Sequence, residues 1–273
     1  MILVTGATGT VGRPLVERLA AAGHKVRALS RTPATARMPA GVEVAPTADL
    51  PLDGITSIFV NPAAFWTGLG DLLPRAAGHG VRRVVLLSSL AAADEDDPDN
   101  TIGLHHLEVE REIEASGLEW TFVRPGAFAS NTLSWAAQIR ATGTVSGAYA
   151  RAQFAPIHEA DIAAVAFEAL TTDTLIGARP LLTGPESLSQ SDQARLIGEA
   201  IGRPVRYEEI SPEAAVEAMT AEHIPPAVAE SLIRIQADSV DRPADISPEV
   251  ERITGSPART YAQWATDHTT DFQ

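Results

Sequence analysis

The first twelve residues constrain the fold of this chain more than any other stretch. Residues 1–5 form a short apolar run that is rich in β-branched side chains, which is typical of a buried parallel strand. Gly6, Gly9 and Gly12 follow at a regular spacing, and an amphipathic helical pattern then runs to Gly23. A strand, a glycine-rich turn and a helix in this order predict the opening unit of a parallel α/β sheet.

Each glycine of this turn has a role that a larger residue would not fill. Gly6 lets the chain turn sharply off the strand. Gly9 lets the backbone approach a pyrophosphate, and Gly12 lets the helix pack closely on the strand. The start of the helix offers free N–H groups and a positive dipole end to phosphates. We therefore predict a dinucleotide site, with a ligand-free β–α turn as the alternative, formed by Gly6, Thr8, Gly9, Thr10, Val11 and Gly12.

The residues after the second predicted strand indicate which dinucleotide binds. That strand covers residues 25–29, and Ser30 and Arg31 stand where a carboxylate commonly binds the ribose 2′-hydroxyl of NAD. A carboxylate would repel a 2′-phosphate, whereas a hydroxyl and a guanidinium bind one. We therefore predict NADP(H) in preference to NAD(H). The alternative is that Arg31 is only a solvated loop residue.

Candidate site residues also follow three further predicted strands, over residues 55–60, 81–87 and 119–123. Ligands bind outside the carboxyl ends of the strands in sheets of this kind. We therefore expect a ligand to meet the residues at those ends, which are Asn61, Pro62, Ser88, Ser89, Pro125, Gly126 and Phe128.

A helix predicted over residues 104–116 carries the main candidate for proton chemistry. At 100° per residue, one narrow stripe that should face the sheet contains Ile102, His106, Val109 and Ile113. His106 then points inward near the start of the helix, close to Ser89. Glu110 lies one turn further on, where we expect it to orient His106.

The remaining pattern predicts an alternating α/β chain without repeats or flexible linkers. Between a weak strand at 41–44 and the strand at 55–60, two prolines indicate an irregular loop instead of a helix. Further helices are predicted over 66–77, 159–170, 190–201 and 259–266, and short strands near 180–182 and 205–208. Ser189 and Asp192 have capping-box spacing, while Ser211 and Ser247 each precede a proline as N-cap residues.

Composition excludes several functional classes. The 273 residues include no cysteine, which excludes disulfides, thiolate metal sites and a cysteine nucleophile. The net charge of −14 disfavours nucleic-acid binding, and the apolar runs are too short to cross a bilayer. The strand at residue 1 leaves no room for a signal peptide. We expect a cytoplasmic protein, and we interpret the acidic run at 94–99 as solvated surface, since no spacing supports a metal site.

Several stretches together resemble a known family. They are residues 2–12, 26–31, 84–89, 115–126, 158–163 and 254–260. Over essentially its full length the chain resembles the NmrA-like members of the atypical short-chain dehydrogenase/reductases. Relatives in that family include quinone reductases, the dehydrogenases of fungal clavine alkaloid synthesis, and redox-sensing regulators that bind the cofactor without turnover. The resemblance implies an NADP(H)-binding Rossmann core and a substrate cleft between that core and a small C-terminal lobe.

One departure from the family pattern bears directly on mechanism. Typical short-chain dehydrogenases use a Tyr-x-x-x-Lys pair, but here Ile102 and His106 stand at those two positions. The only lysine is Lys25, and no tyrosine precedes Tyr149. Ser89 matches the family serine, so the proton must come from His106, His105, Ser89 or water. His106 as a ribose contact or a core histidine, and Ser89 as a backbone contact, remain open.

We therefore predict an α/β protein with a Rossmann-type doubly wound parallel sheet and a small C-terminal α/β substrate lobe. The core is expected to cover residues 1–126 and 156–183, and the lobe 127–155 and 184–273. The predicted function is NADP(H)-dependent reduction of a small quinone, enone or imine by a monomer or homodimer, with His106 and Ser89 as catalytic candidates. The alternatives are a non-catalytic NADP(H) sensor that acts through a protein partner, and a redox-neutral enzyme that uses the same cleft.

Overall fold

A parallel sheet forms the centre of the molecule. The computed structural model describes residues 1–64, 69–95, 97 and 100–273. Within these residues, seven parallel strands pair in the order β3-β2-β1-β4-β5-β6-β9. They are β1 (Ile2–Val4), β2 (Val26–Ser30), β3 (Glu43–Pro46), β4 (Ser57–Val60), β5 (Arg83–Leu87), β6 (Glu119–Pro125) and β9 (Leu181–Leu182).

Helices cover both faces of this sheet, because alternate strand residues point to opposite sides. Ile2 and Val4 face a core that includes Leu15 of α1 (Gly12–Ala21) and Ile162 of α5 (Glu159–Thr171). Leu3 faces a second core, which is closed by α2 (Leu72–Gly78) and α3 (Thr101–Ala115). The sheet is therefore doubly wound, as predicted, and its strand order is that of a Rossmann-type fold.

The rest of the chain forms a smaller α/β region with its own core around Trp264, Tyr261 and Phe272. Two small sheets contribute to it, one pairing β7 (Thr144–Gly147) with β11 (Arg206–Glu209) and the other β8 (Gln153–Phe154) with β10 (Leu188–Ser189). Its helices are α4 (Ala136–Thr142), α6 (Gln190–Ala200), α7 (Pro212–Ala221), α8 (Pro226–Asp238), α10 (Tyr261–Asp267) and α11 (Thr269–Phe272). Helix α9 (Glu249–Thr254) instead packs on α5 and adds Val250 to the core of the central sheet.

Most predicted elements are present within one or two residues of their expected bounds, and no helix interrupts the loop between β3 and β4. The capping box of Ser189 and Asp192 is formed, and Ser211 caps α7. Three expectations need correction. The helix predicted over 66–77 begins only at Leu72, and Trp66 lies outside the described residues. Helix α9 has Pro248 as its N-cap instead of Ser247. The helix predicted over 259–266 is α10, and a further short helix, α11, follows it.

Short 3₁₀ helices follow three of the central strands: Pro62–Ala64 after β4, Leu90–Ala93 after β5 and Ala129–Trp135 soon after β6. All three therefore lie beyond the carboxyl ends of neighbouring parallel strands, where ligands bind in such folds. Of the acidic run at 94–99, Asp96 and Asp99 lie outside the described residues. Among the helices that the structure describes, none is both long and apolar enough to span a membrane.

Candidate cofactor and active site

The glycine turn after β1 is built by contacts that leave no space for side chains. Gly6 has a positive φ of 60°, which L-residues rarely adopt. The Gly9 N–H donates to the Gly6 carbonyl over 2.9 Å. A Cβ on Gly12 would lie 2.2 Å from that same carbonyl oxygen, so the start of α1 touches the turn directly. The regular glycine spacing is therefore required by the packing of helix against turn.

The start of α1 is open to an anion. Val11 is its N-cap, but no side chain caps the helix, and no acidic residue lies in the first turn. Thr8, Gly9 and Thr10 are exposed, whereas Val11 and Gly12 are buried beneath them. A helix of this length with an uncapped N-terminus presents N–H groups and a partial positive charge. The turn therefore fits a phosphate group of a dinucleotide.

The end of β2 presents Arg31 to solvent. Ser30 is buried, and its Oγ accepts a hydrogen bond of 3.1 Å from the Thr32 N–H, so Ser30 shapes the turn that carries Arg31. Arg13 of α1 donates to the Arg37 carbonyl over 2.9 Å and thus ties the start of the helix to the segment after Arg31. Sequence reasoning missed Arg13, which lies one residue beyond the last glycine of the turn.

β1 and β4 are neighbours at the position where the strand order reverses. The Asn61 N–H donates to Thr5 Oγ1 over 2.7 Å, and Asn61 Oδ1 accepts from the Ala63 N–H. The Asn61 amide also lies against the turn, because a Cβ on Gly6 would be 2.8 Å from its Nδ2 atom. Pro62 is buried beside it. Asn61 therefore lies at the crevice between β1 and β4, the point of strand-order reversal where sheets of this type bind their ligands.

Beyond β5 and β6, a buried ion pair corrects the expected role of Glu110. Arg124 donates to both carboxylate oxygens of Glu110, over 2.9 Å and 2.6 Å, and Ser88 Oγ donates to one of them. The side chains of Glu110 and Arg124 are only 3% and 7% exposed. Glu110 therefore fastens α3 to the ends of β5 and β6, and the prediction that it orients His106 by hydrogen bonding is wrong.

His106 lies one turn before Glu110, half-buried on α3. Its Nδ1 atom is buried and has no hydrogen-bond partner among the described residues. Burial, and next the neighbouring charge of His105, lower the pKa of His106 to about 4, although Glu110 opposes this shift. The imidazole is therefore neutral at physiological pH.

Ser89 is half-buried beyond β5, and its Oγ accepts a hydrogen bond of 3.2 Å from the Ala91 N–H. It caps the 3₁₀ helix Leu90–Ala93 in this way and keeps its hydroxyl proton free to donate. Among the described residues, no cluster of three or more His, Cys, Asp or Glu side chains could hold a metal ion.

The end of β6 and the segment after it complete the candidate site. Pro125 is buried, and the Gly126 N–H donates to the Leu182 carbonyl over 2.9 Å. Phe128 pairs with Ile157 in an isolated bridge and packs on the core of the sheet. These residues therefore line the carboxyl edge between β6 and β9.

The residues at this edge fit a nicotinamide dinucleotide. The glycine turn and the uncapped α1 would hold its pyrophosphate, and the neutral His106 lies on α3, one turn from the Glu110 that fastens this helix to the ends of β5 and β6. Sequence reasoning missed the role of Arg124. The only signal for Arg124 was a charged residue directly after the apolar pair Phe122 and Val123 in a buried strand, where burial of a charge requires a partner.

Comparison with known proteins agrees with this geometry. A family model described as NAD(P)H-binding matches residues 6–173. The chain is 38% identical to the (4-alkanoyl-5-oxo-2,5-dihydrofuran-3-yl)methyl phosphate reductase of Streptomyces griseus. It is 34% identical to the NAD(P)H azoreductase of Xenophilus azovorans, and each alignment covers 100% of this chain and 99% of the relative.

Solved structures show the same fold. The NADPH complex of an NADPH-dependent quinone oxidoreductase from Escherichia coli aligns with a TM-score of 0.79 at 23% identity, covering 98% of this chain and 99% of that one. The matching family model and the full-length relatives above 30% identity, together with this fold, establish the family. The chain belongs to the NAD(P)H-binding, NmrA-like branch of the atypical short-chain dehydrogenase/reductases, a family of oxidoreductases.

Proposed function

We propose that this protein uses NADPH, in preference to NADH, to reduce a small electron-poor acceptor such as a quinone, an enone or an imine. One observation carries the proposal. Where relatives with a Tyr-x-x-x-Lys pair hold a charged lysine, this chain holds His106, which is neutral because burial lowers its pKa to about 4. A simple ketone needs a general acid beside its oxygen, so we expect this site to reduce simple ketones slowly.

The chemistry divides between the cofactor and the chain. A nicotinamide supplies the hydride when it is bound. The glycine turn and α1 hold the phosphates, and the exposed part of the neutral His106 ring contacts the ribose of the cofactor. The Ser89 hydroxyl donates a hydrogen bond to the acceptor, where negative charge develops during reduction. The proton that completes the reduction comes from water, because a serine hydroxyl is a very weak acid and the neutral imidazole of His106 is not an effective acid near neutral pH.

The names of the relatives support this substrate class. One is named for reduction of a (4-alkanoyl-5-oxo-2,5-dihydrofuran-3-yl)methyl phosphate, and another is an NAD(P)H azoreductase. The substrate enters between the core and the lobe of residues 127–155 and 184–273, and the protein acts in the cytoplasm. The partner of this protein is a small-molecule substrate, and neither nucleic acid nor membrane takes part in the reaction.

An acceptor screen tests the proposed reaction. Oxidation of NADPH is followed at its absorbance band with para-quinones, enones, imines and simple ketones. We expect turnover with the first three groups and little with ketones. If NADPH binds by calorimetry but no acceptor in the screen oxidises it, the reductase proposal fails and the sensor function replaces it. Turnover without net change in the cofactor would instead identify a redox-neutral enzyme.

Arg31 is the residue that we propose to discriminate between the cofactors. Replacing it in the variant Arg31→Asp should weaken NADPH binding at least tenfold, about 1.4 kcal/mol, and leave NADH binding within a few-fold. Parallel calorimetric titrations measure both. Arg82→Asp is the matched control, since Arg82 is also exposed but lies at the amino ends of the strands. An unchanged NADPH affinity in Arg31→Asp would refute the assignment.

A further inference from the structure

Large apolar side chains that remain exposed are concentrated around one groove. Leu90, Leu181 and Ile246 are 37%, 37% and 45% exposed. All three line a groove of about 490 Å³, together with Ala178 and Pro180. This volume lies within the range of small-molecule pockets, and clustered exposed apolar groups commonly mark a binding site.

The walls of the groove are fixed before any ligand arrives. Ser247 Oγ donates to the Leu181 carbonyl over 2.6 Å, and the Ser247 N–H donates to Thr183 Oγ1 over 2.9 Å, so the loop before α9 is fastened to the edge strand β9. The Arg179 guanidinium stacks on Trp120, 4.6 Å from the ring centroid. A preformed wall lowers the entropic cost of binding an apolar group.

The groove adjoins the candidate active site. Leu90 directly follows Ser89 in the chain. Its Cδ1 atom lies 3.6 Å from the position that a Cβ on Gly126 would occupy, and Thr183 Cγ2 lies 4.0 Å from the same point. Leu90 and Thr183 therefore belong both to the groove and to the surroundings of Gly126. A molecule that reacts beside Ser89 can extend into the groove past Gly126, which has no side chain to block it.

The charges around the groove select against an anionic group. Asp245 and Glu249 are the carboxylates in its lining, and Arg179 is the guanidinium. Arg179 already pairs with Glu114, and Glu249 pairs with Arg252. The remaining charge is that of Asp245, which repels a carboxylate or phosphate. The carboxylate disfavours an anion, and the exposed apolar walls disfavour a charged group of either sign, so the favoured occupant is uncharged and apolar.

We propose that this groove binds an uncharged hydrocarbon arm of the acceptor while its electron-poor centre lies beside Ser89 and His106. The inference rests on the proposed reductase function, because it assigns the groove to the same substrate. The groove narrows the proposed substrates to quinones or enones that carry a neutral alkyl or prenyl-like chain.

The first test is a homologous series of para-benzoquinones substituted with methyl, butyl, hexyl or octyl groups. Each added methylene should lower KM by roughly two- to fourfold until the groove is filled. An ω-carboxyalkyl quinone of equal length should lose this gain. Binding of octyl-substituted para-dimethoxybenzene, which cannot be reduced, is measured by calorimetry with NADP⁺ present and does not depend on turnover.

Two matched variants locate the effect. Ile246→Ser should reduce the ratio of octyl to methyl kcat/KM at least threefold and weaken the dimethoxybenzene probe by a similar factor. Ile176→Ser is the control, because Ile176 is 41% exposed but does not line the groove, and its ratio should match that of the unmodified protein. Analytical ultracentrifugation of both variants shows whether either substitution changes the oligomeric state.

The possible results separate this inference from the proposed function. Turnover of methyl quinone with no effect of chain length or of Ile246→Ser would overturn the groove assignment and leave the reductase intact. Chain-dependent binding of the probe without turnover of any quinone would support the groove and refute the reductase. A change of oligomeric state in Ile246→Ser, without a change in the chain-length ratio, would overturn the assignment and identify a contact between copies of the chain.

Discussion

His106 differs from an ordinary histidine through its surroundings on α3. Its buried Nδ1 atom has no hydrogen-bond partner among the described residues, and Glu110, the carboxylate whose charge acts on its ring, is engaged by Arg124 and Ser88. An imidazolium there would lose hydration without gaining a partner, which disfavours the charged form. At the residue scale, therefore, His106 is a hydrogen-bonding group and not a source of protons near neutral pH.

The protonation state of His106 can be measured directly. Because burial and the charge of His105 lower its pKa to about 4, its ring should remain neutral down to about pH 5, in contrast to an ordinary histidine near 6.5. An NMR titration of ¹³C-labelled histidine follows each ring, and His106→Gln identifies the signal. The same variant should weaken NADPH binding several-fold. A titration midpoint above 6 would contradict the neutral state.

The glycine turn before α1 and helix α3 position different parts of the candidate site, and each is held by a different kind of contact. The turn depends on the close backbone approach of Gly12 to Gly6. Helix α3 is instead fastened by the buried pair of Glu110 with Arg124, to which Arg179 adds a second guanidinium 3.9 Å from Glu110. Removing one partner of such a pair leaves a buried charge uncompensated, so the pair determines where α3, and with it His106, can lie.

Gly12 provides a test of the turn at the element scale. The variant Gly12→Ala places a methyl group 2.2 Å from the Gly6 carbonyl oxygen, so the turn must shift. We expect a loss of about 1–3 kcal/mol in the free energy of unfolding. NADPH affinity should fall at least tenfold. Chemical denaturation and calorimetry measure these two quantities.

The control for this variant is Gly78→Ala at the end of α2, where an added Cβ meets nothing within 4 Å. It should keep full NADPH affinity and slightly raise stability, since alanine favours the helix by up to about 1 kcal/mol. Equal NADPH affinities in the two variants would show that the close approach at Gly12 is not needed for the phosphate site.

At the scale of the whole molecule, the start of α5 joins the sheet to the C-terminal helices. Glu159 accepts a hydrogen bond of 3.0 Å from Trp264 Nε1 and contacts His268 Nε2 over 2.8 Å. Asp161 binds both the backbone N–H and the guanidinium of Arg259. The two family stretches at 158–163 and 254–260 therefore contact each other, and their shared role is to hold the lobe on the core.

His268 makes this junction sensitive to pH. Burial alone would lower its pKa, but hydrogen bonds to Asp271 and Glu159 outweigh burial and raise the pKa above the ordinary value. A raised pKa in the folded state stabilises the protein fully below the unfolded pKa of about 6.5, and this contribution is lost as pH rises through the folded pKa. Stability from this group should therefore decline as pH rises above about 6.5.

The corresponding experiment compares unfolding free energies between about pH 6 and 9. His268→Gln should cost about 1 kcal/mol at the lower pH. It should also flatten the decline toward the higher pH, because the titrating group is gone. His79→Gln is the control, since His79 is an exposed histidine on the surface beside Asp53. A decline that persists unchanged in His268→Gln would assign the pH dependence to other groups.

Local pattern determined much of this protein. The glycine spacing, the alternation of apolar strands with amphipathic helices, and the caps at Ser189 and Ser211 each act over a few residues, so the doubly wound sheet could be predicted from the sequence. Most of the candidate cofactor residues followed from the same pattern, because they stand at the ends of predicted parallel strands, whereas His106 was placed by the apolar stripe of α3. Arg31 could be found in this way, since its position depends only on β2 and the turn after it.

Only the tertiary structure decided which side chains meet. Glu110 lies one turn from His106 in sequence, yet it binds Arg124 and Ser88, because the ends of β5 and β6 lie side by side in the sheet. The lowered pKa of His106 follows from its burial and from the neighbouring charge of His105, and the groove joins Leu90, Leu181 and Ile246 from distant parts of the chain. Hydrophobic periodicity specifies which face of an element is buried, but pairing and desolvation depend on what the opposite element places there.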